Sequence, residues 1–190
     1  MAERIKHLRE LLIEEGIKEI NAHGLTEFSV RRISTACGVS CAAPYKHFKD
    51  KRDFIASIID YVNELWHAHQ QIILSRCSGS LREQIVEVSV NYLRFLMENP
   101  HLRTILMLKD QDFDNLYHKT QGQLISTAQQ LQEDYFGSVG LSEADARRKL
   151  HLVRAMLFGS VFVFDSGEIP YSEEALAHFR QIIDREFDLP

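Results

Sequence analysis

The chain has 190 residues, 45% of them hydrophobic, which supports a packed core and excludes wholesale disorder. No apolar run approaches the roughly 20 residues of a membrane span. The first fifteen residues interleave Glu, Arg, Lys and His with Leu and Ile, unlike a secretory signal, so a cytoplasmic protein with no membrane partner is expected.

The net charge of −5 is unevenly spread. Met1 to Arg52 holds ten Lys or Arg against seven Asp or Glu, a surplus of three; the remainder holds twelve against twenty, a deficit of eight. Within Ser29 to Arg52 six basic residues (Arg31, Arg32, Lys46, Lys49, Lys51, Arg52) face one acid, Asp50. So dense a positive stretch is the electrostatic footprint of a phosphate-binding face, although solvated helices carry such clusters too.

Periodicity predicts an all-α chain of about nine helices. Leu8, Leu12, Ile13, Ile17 and Ile20 form one stripe of a first helix, about Glu3 to His23, closed by Gly24. Ser29 reads as the N-cap of a short helix over Val30–Ala36, and Gly38 as the tight turn after it. Ser40 is expected to cap a third helix from Cys41 to about Phe48, with Pro44 distorting its first turn without breaking it. Asp50 caps a long helix to about Arg76. Ser80-Leu81-Arg82-Glu83 is a capping box opening a helix that ends near Asn99-Pro100. A short helix over His101 to about Leu108, a longer one between Asn115 and Phe136, one capped by Ser142 to about Ser166 and one capped by Ser172 to about Phe187 complete the set.

The decisive stretch is Ser29 to Phe48, SVRRISTACGVSCAAPYKHF: helix, glycine turn, helix, both helices too short to stand alone. Ile33, Ala36, Val39 and Phe48 can lock them onto the first helix. Small residues at the start of the second (Ser40, Cys41, Ala42, Ala43) let a backbone approach a groove wall, and Tyr45, Lys46 and His47 can reach phosphates, as a recognition helix in the major groove requires.

With Ser29, Ile33, Gly38-Val39-Ser40, Tyr45, His47-Phe48 and Lys51 in place, this stretch resembles the TetR/AcrR-type bacterial transcriptional regulators. It departs at Ser34 and Cys37, where the family usually has Ala; both are small. The resemblance covers about the first fifty-five residues. It implies a helix-turn-helix DNA-binding domain over 1–52 and a helical effector-binding and dimerisation domain over 53–190. It also implies phosphate contacts from Ser29, Arg31, Tyr45, His47 and Lys51, and groove contacts from Ser40, Cys41, Ala42 and Ala43. Lys46 is the remaining candidate for base contact; with no Arg, Asn or Gln over 40–43, specificity would lean on it, on thymine methyls and on DNA shape.

Leu152 to Phe164 carries one charge, Arg154, so it must be buried on every side, internally or by a second copy. The candidate dimer residues are Leu157, Gly159, Ser160, Val161, Phe164, Phe179, Ile182 and Ile183, and a two-fold dimer would suit a palindromic operator. Aromatics and methionines of the middle helices suit a small hydrophobic or amphipathic effector, with Trp66, His69, Tyr92, Phe95, Leu96, Met97, Met107, Phe158 and Phe162 as candidate lining or as plain core.

Cys37, Cys41 and Cys77 match no common zinc spacing; the first two are either small packing residues or carry a redox or metal role. No H-E-x-x-H, P-loop, Rossmann glycine run or G-x-S-x-G is present, so neither an enzyme nor a cofactor or metal is expected. The expected protein is a homodimeric regulator, most simply a repressor, of double-stranded operator DNA, released by a small-molecule effector. The other reading is a helical protein–protein interaction module in which the helix-turn-helix is only a packing motif.

Overall fold

The computed structural model describes the backbone of residues 2–106 and 130–188, with side chains from His7 onward. Among the described residues there are helices and no strand. They are α1 (Ala2–His23), α2 (Val30–Ala36), a 3-10 turn (Pro44–Lys46), α3 (Lys51–Arg76), α4 (Leu81–Glu98), α5 (Pro100–Leu106), α6 (130–139), α7 (Glu143–Asp165) and α8 (Glu173–Glu186). Met107 and the expected helix from Asn115 lie outside the described residues, except for the part that is α6. None of these helices is long and apolar enough to cross a membrane.

Local chemistry sets most of the ends. Gly24 takes φ 73° after α1, and its amide donates to the Ile20 carbonyl at 2.8 Å. Asp50 and Asp53 cap α3 reciprocally: the Asp53 amide donates to Asp50 Oδ1 at 2.8 Å, and the Lys49 amide to Asp53 Oδ2 at 2.7 Å. Ser80 and Glu83 form the expected capping box, the Ser80 amide donating to Glu83 Oε2 at 2.7 Å and the Glu83 amide to Ser80 Oγ at 3.3 Å. Ser142 and Ser172 accept from the amides of Asp145 and Ala175. α6 runs three residues beyond its expected end at Phe136, through Gly137 to Val139, and closes at Gly140, φ 70°.

The described residues fall into two compact units. The first holds 2–65 and 99–106; the second holds 66–98 and 130–188. α3 contributes its first part to one and its last turns to the other. In the first unit, Leu12, Ile13, Ile17 and Ile20 of α1 are buried, as are Ile33, Phe54, Ile55 and Ile58. Gly16 admits the Ile58 side chain so closely that a Cβ there would lie 2.4 Å from Ile58 Cδ1. α5 belongs to this unit: Asn21 Nδ2 donates to the His101 carbonyl at 2.6 Å, and Leu102, Ile105 and Leu106 are buried.

In the second unit, α4 packs along α8 and α7. Val86, Val90, Leu93, Val153, Leu157, Leu176, Phe179 and Ile183 are buried. Arg–carboxylate pairs zip α4 to α8: Arg94 to Glu173 and Arg180 to Glu87, each with a 2.8 Å bond, and Arg82 to Asp184 at 2.8 Å and to Asp188. Lys149, 2% exposed, donates from Nζ to the Glu186 carbonyl at 2.7 Å and so caps the end of α8 from α7.

Candidate functional site

The basic segment is built from α2 upward. Ser29 sits in an extended conformation and its hydroxyl accepts from the Arg32 amide, capping the helix. Its own amide donates at 3.0 Å to Glu19 Oε1 on α1. Arg32 Nε donates to both Glu19 oxygens, at 2.9 and 3.1 Å, and its Nη2 to Glu19 and to the Glu27 carbonyl. Glu19 is thus a buried carboxylate that fixes the start of α2 on α1. Burial pushes its pKa up, but the Arg32 hydrogen bond and the Ser29 amide outweigh that and hold it below the ordinary 4.5. Arg32 is committed to this pair, whereas Arg31 is exposed. The device joins two helices, its partners thirteen residues apart in sequence, and no local motif marks it.

α2 ends in a Schellman motif. Gly38 has φ 66°, its amide donates to the Thr35 carbonyl at 3.1 Å, and the Val39 amide donates to the Ser34 carbonyl at 2.9 Å. Ser34 is fully buried, and its hydroxyl donates back to the Val30 carbonyl at 2.8 Å, so serine fits where alanine was expected.

The expected α-helix over 41–48 is not formed. A turn over 41–43 leads into a 3-10 turn, Pro44–Lys46. Pro44 has no amide to give the Ser40 carbonyl, which instead accepts from Ala43 at 2.9 Å, three residues on. The segment is held by its apolar side: Pro44 is buried, and Phe48, 2% exposed, stacks on Phe54 with ring centroids 4.0 Å apart. Phe28 meets Phe54 edge-on, and the Arg9 guanidinium lies 5.5 Å above the Phe48 ring.

Anchored so, the segment leaves Ser40, Cys41, Ala42, Tyr45 and Lys46 exposed and Ala43 half-buried. Tyr45 is 53% exposed between two buried neighbours in this stretch, Pro44 and Phe48. Lys51 is exposed at the start of α3, its ammonium 5.9 Å from the Phe28 ring centroid. Ser29 is half-buried in its capping role. His47 is half-buried too; burial foremost, then the charges of Arg9 and Lys46, push its pKa below 6.5, so the ring is neutral at pH 7 and meets an acceptor as a hydrogen-bond donor.

Residues 12–58 match the family model for bacterial regulatory proteins of the tetR family. The chain carries a TetR-type amino-terminal domain. Solved regulators share the fold beyond that domain. A TetR family transcription regulator from Marinobacter aquaeolei VT8 superposes with a TM-score of 0.79 at 20% identity over 98% of each chain. The fatty acid degradation regulator FadR from Bacillus halodurans gives 0.74 at 15% identity, over 92% of this chain and 93% of that one. The transcriptional regulator FadR from Bacillus subtilis, solved in complex with stearoyl-CoA, gives 0.72 at 14%, over 93% and 95%. Comparison with curated protein sequences gives no match.

In the second unit, the aromatic candidates partly converge. Trp66, 5% exposed, lies 4.7 Å from Tyr92, 5.3 Å from Phe95 and 5.9 Å from His69, centroid to centroid. Leu96 is buried and Met97 half-buried. Phe158 and Phe162 stand apart from this cluster: they are 39% and 72% exposed on α7. The dimer candidates divide as well. Leu157, Val161, Phe179 and Ile183 are buried in the chain's own core, Ser160 and Phe164 are half-buried, and Gly159 and Ile182 are exposed. One face of α7 therefore shows Leu152, Ala155, Gly159 and Phe162, with Phe158 beside it, and α8 shows Ile182. Nothing lies within 4 Å of a Cβ built on Gly159.

Proposed function

We propose that this TetR-type chain is a DNA-binding transcriptional regulator. In this reading its segment over 40–47, with Arg31 and Lys51, contacts a duplex. The observation that carries it is the anchoring of that segment: Pro44 and Phe48 are buried while Ser40, Cys41, Ala42, Tyr45 and Lys46 point outward without a helix between them. Small side chains at the tip allow close approach to base edges; Tyr45, His47, Arg31 and Lys51 supply phosphate donors around it. The family match over 12–58 supports the same assignment.

The regulator acts as a two-fold dimer on a palindromic operator. Its interface is the exposed apolar face of α7 with Ile182 of α8, covered by a second copy. Leu152, Phe158 and Phe162 in water would otherwise leave large apolar side chains contiguous and solvated. Gly159 lets the facing helix come close. A small hydrophobic or amphipathic effector bound by the second unit releases the operator, because α3 carries Lys51 at one end and lends its last turns to that unit.

Selection of bound duplexes from a random pool, followed by titration of the selected site at rising salt, tests the DNA reading. Affinity falls steeply with salt, and replacing Lys46 or Lys51 by Ala lowers the log–log slope by about 0.9 each. Binding indifferent to salt, or no duplex retained at low salt, refutes it.

A further inference from the structure

The last turns of α3, the first half of α4 and the carboxyl-terminal half of α8 enclose a partly open cleft of about 700 Å³, wholly within the second unit. That volume is within the range of small-molecule sites. Its floor is apolar: Ile72, Ile73 and Val86, with Ile72 48% exposed although it is a large aliphatic side chain. Of the aromatic cluster only His69 reaches it; Trp66, Tyr92 and Phe95 are not part of the wall.

The polar groups of the wall are mostly spent. Glu87 takes both of its oxygens to the Arg180 guanidinium. Asp184 accepts from Arg82 Nε at 2.8 Å. Glu83 is folded back over Gly79 and accepts from the Ser80 amide and hydroxyl, at 2.7 and 3.0 Å; a Cβ on Gly79 would meet its Oε2 at 2.3 Å. Asn91 donates to the Glu87 carbonyl at 2.9 Å. Glu87 and Asp184 are therefore ion-paired in place, and Glu83, still ionised, is turned onto the Ser80 amide and hydroxyl. Arg76, exposed in the last turn of α3, has no ion-pair or hydrogen-bond partner among the described residues. A guanidinium presents five donors and no acceptor. Of the guanidiniums in the wall, Arg76 is the one without a carboxylate partner among the described residues, and it stands beside an aliphatic floor.

We propose that this cleft binds a small amphipathic anion, an apolar body on Ile72, Ile73 and Val86 with a carboxylate or similar oxyanion on Arg76. The site deepens the effector part of the function proposed above and rests on it only for its regulatory meaning. Binding is measured without DNA, so failure here leaves the operator result standing and the converse holds too.

The test uses three probes of matched chain length: sodium octanoate, 1-octanol and octyltrimethylammonium. Titration calorimetry and the emission of Trp66, the single tryptophan, whose ring lies 5.9 Å from that of the cleft residue His69, report occupancy. Peptide-level mapping of iodoacetamide labelling localises it, because Cys77 lines the cleft and exposed Cys41 does not. Octanoate is expected to saturate, to slow labelling of Cys77 and to leave Cys41 unchanged; octanol and the cation bind more weakly by about tenfold or more, the size of one charge-assisted hydrogen bond. Arg76→Gln weakens octanoate by a similar factor, and Arg76→Lys, which keeps the charge, retains most of the affinity. The proposal is overturned by failure of octanoate to saturate, by equal binding of the cation, by Arg76→Gln binding as wild type does, or by an unchanged labelling rate at Cys77.

Discussion

Gly16 of α1 faces Ile58 of α3, and adding one methyl there sets two effects of known sign against each other. Alanine in place of a mid-helix glycine favours the helix by about 1 kcal/mol. The new Cβ would lie 2.4 Å from Ile58 Cδ1 and 3.2 Å from its Cγ1, with Phe54 at 3.5 Å. Ile58 is fully buried, so overpacking of about 1–3 kcal/mol is expected. Gly16→Ala alone is therefore expected to destabilise the first unit by about 1 kcal/mol. Ile58→Val deletes the clashing atom at a cost of about 0.5–1.5 kcal/mol. In that background the same Gly16→Ala change becomes stabilising, because the helix term survives and the 2.4 Å contact does not. The four proteins form a cycle with a coupling of about 1–2 kcal/mol. Native-state hydrogen exchange of the α1 amides reads it, since these report the unit in question directly. Additivity within about 0.4 kcal/mol would refute the argument that Ile58 is what keeps residue 16 a glycine.

Other outcomes follow from single contacts. Phe162→Asp, at 72% exposure, leaves the fold intact by circular dichroism and converts the dimer to the 22.0 kDa monomer in sedimentation, with operator affinity lost alongside; an unchanged dimer refutes the α7 interface. Glu19→Gln destabilises the first unit in a pH-dependent way. The Glu19 carboxyl titrates below 4.5 when folded, so its contribution is present above 4.5 and is lost as the pH falls through the lower folded value. The gap in Tm between wild type and variant should close on going from pH 7 to pH 3, and a constant gap contradicts the assignment. Lys149→Ala removes a buried ammonium that holds the Glu186 carbonyl and lowers the stability of the second unit by about 3 kcal/mol, read from urea unfolding followed by Trp66 emission. A loss under about 1 kcal/mol would mean that α8 does not need this cap.

The helix ends were legible because they are short-range chemistry: Ser29, Asp50, Ser80, Ser142 and Ser172 each meet an amide three residues on, whatever the rest of the chain does. The segment after Gly38 departs from the expected helix because Pro44 does more than distort its first turn. In so short a piece the missing amide removes the first bond of a regular helix, and the chain closes a three-residue turn instead. The candidate DNA-contact residues were found from spacing, but the Glu19–Arg32 pair was not, as it joins two helices and neither sequence neighbourhood marks the partner. The cleft was invisible for the same reason, with walls from three helices distant in sequence and a polar lining where aromatic residues were sought; of those only His69 reaches it. An apolar run over 152–164 was legible, but which of its faces lies in the chain's own core is decided by packing.

α5 comes after the whole of α4 in the chain, yet it is an integral part of the amino-terminal unit, tied to α1 through Asn21 and the His101 carbonyl. During synthesis that unit stays incomplete until the ribosome has passed residue 106, long after the last basic residue of the head has emerged. A hybrid protein that grafts residues 1–52 onto a foreign sensor would inherit Leu102, Ile105 and Leu106 as a gap to be filled. A graft that carries α5 along keeps its own filling.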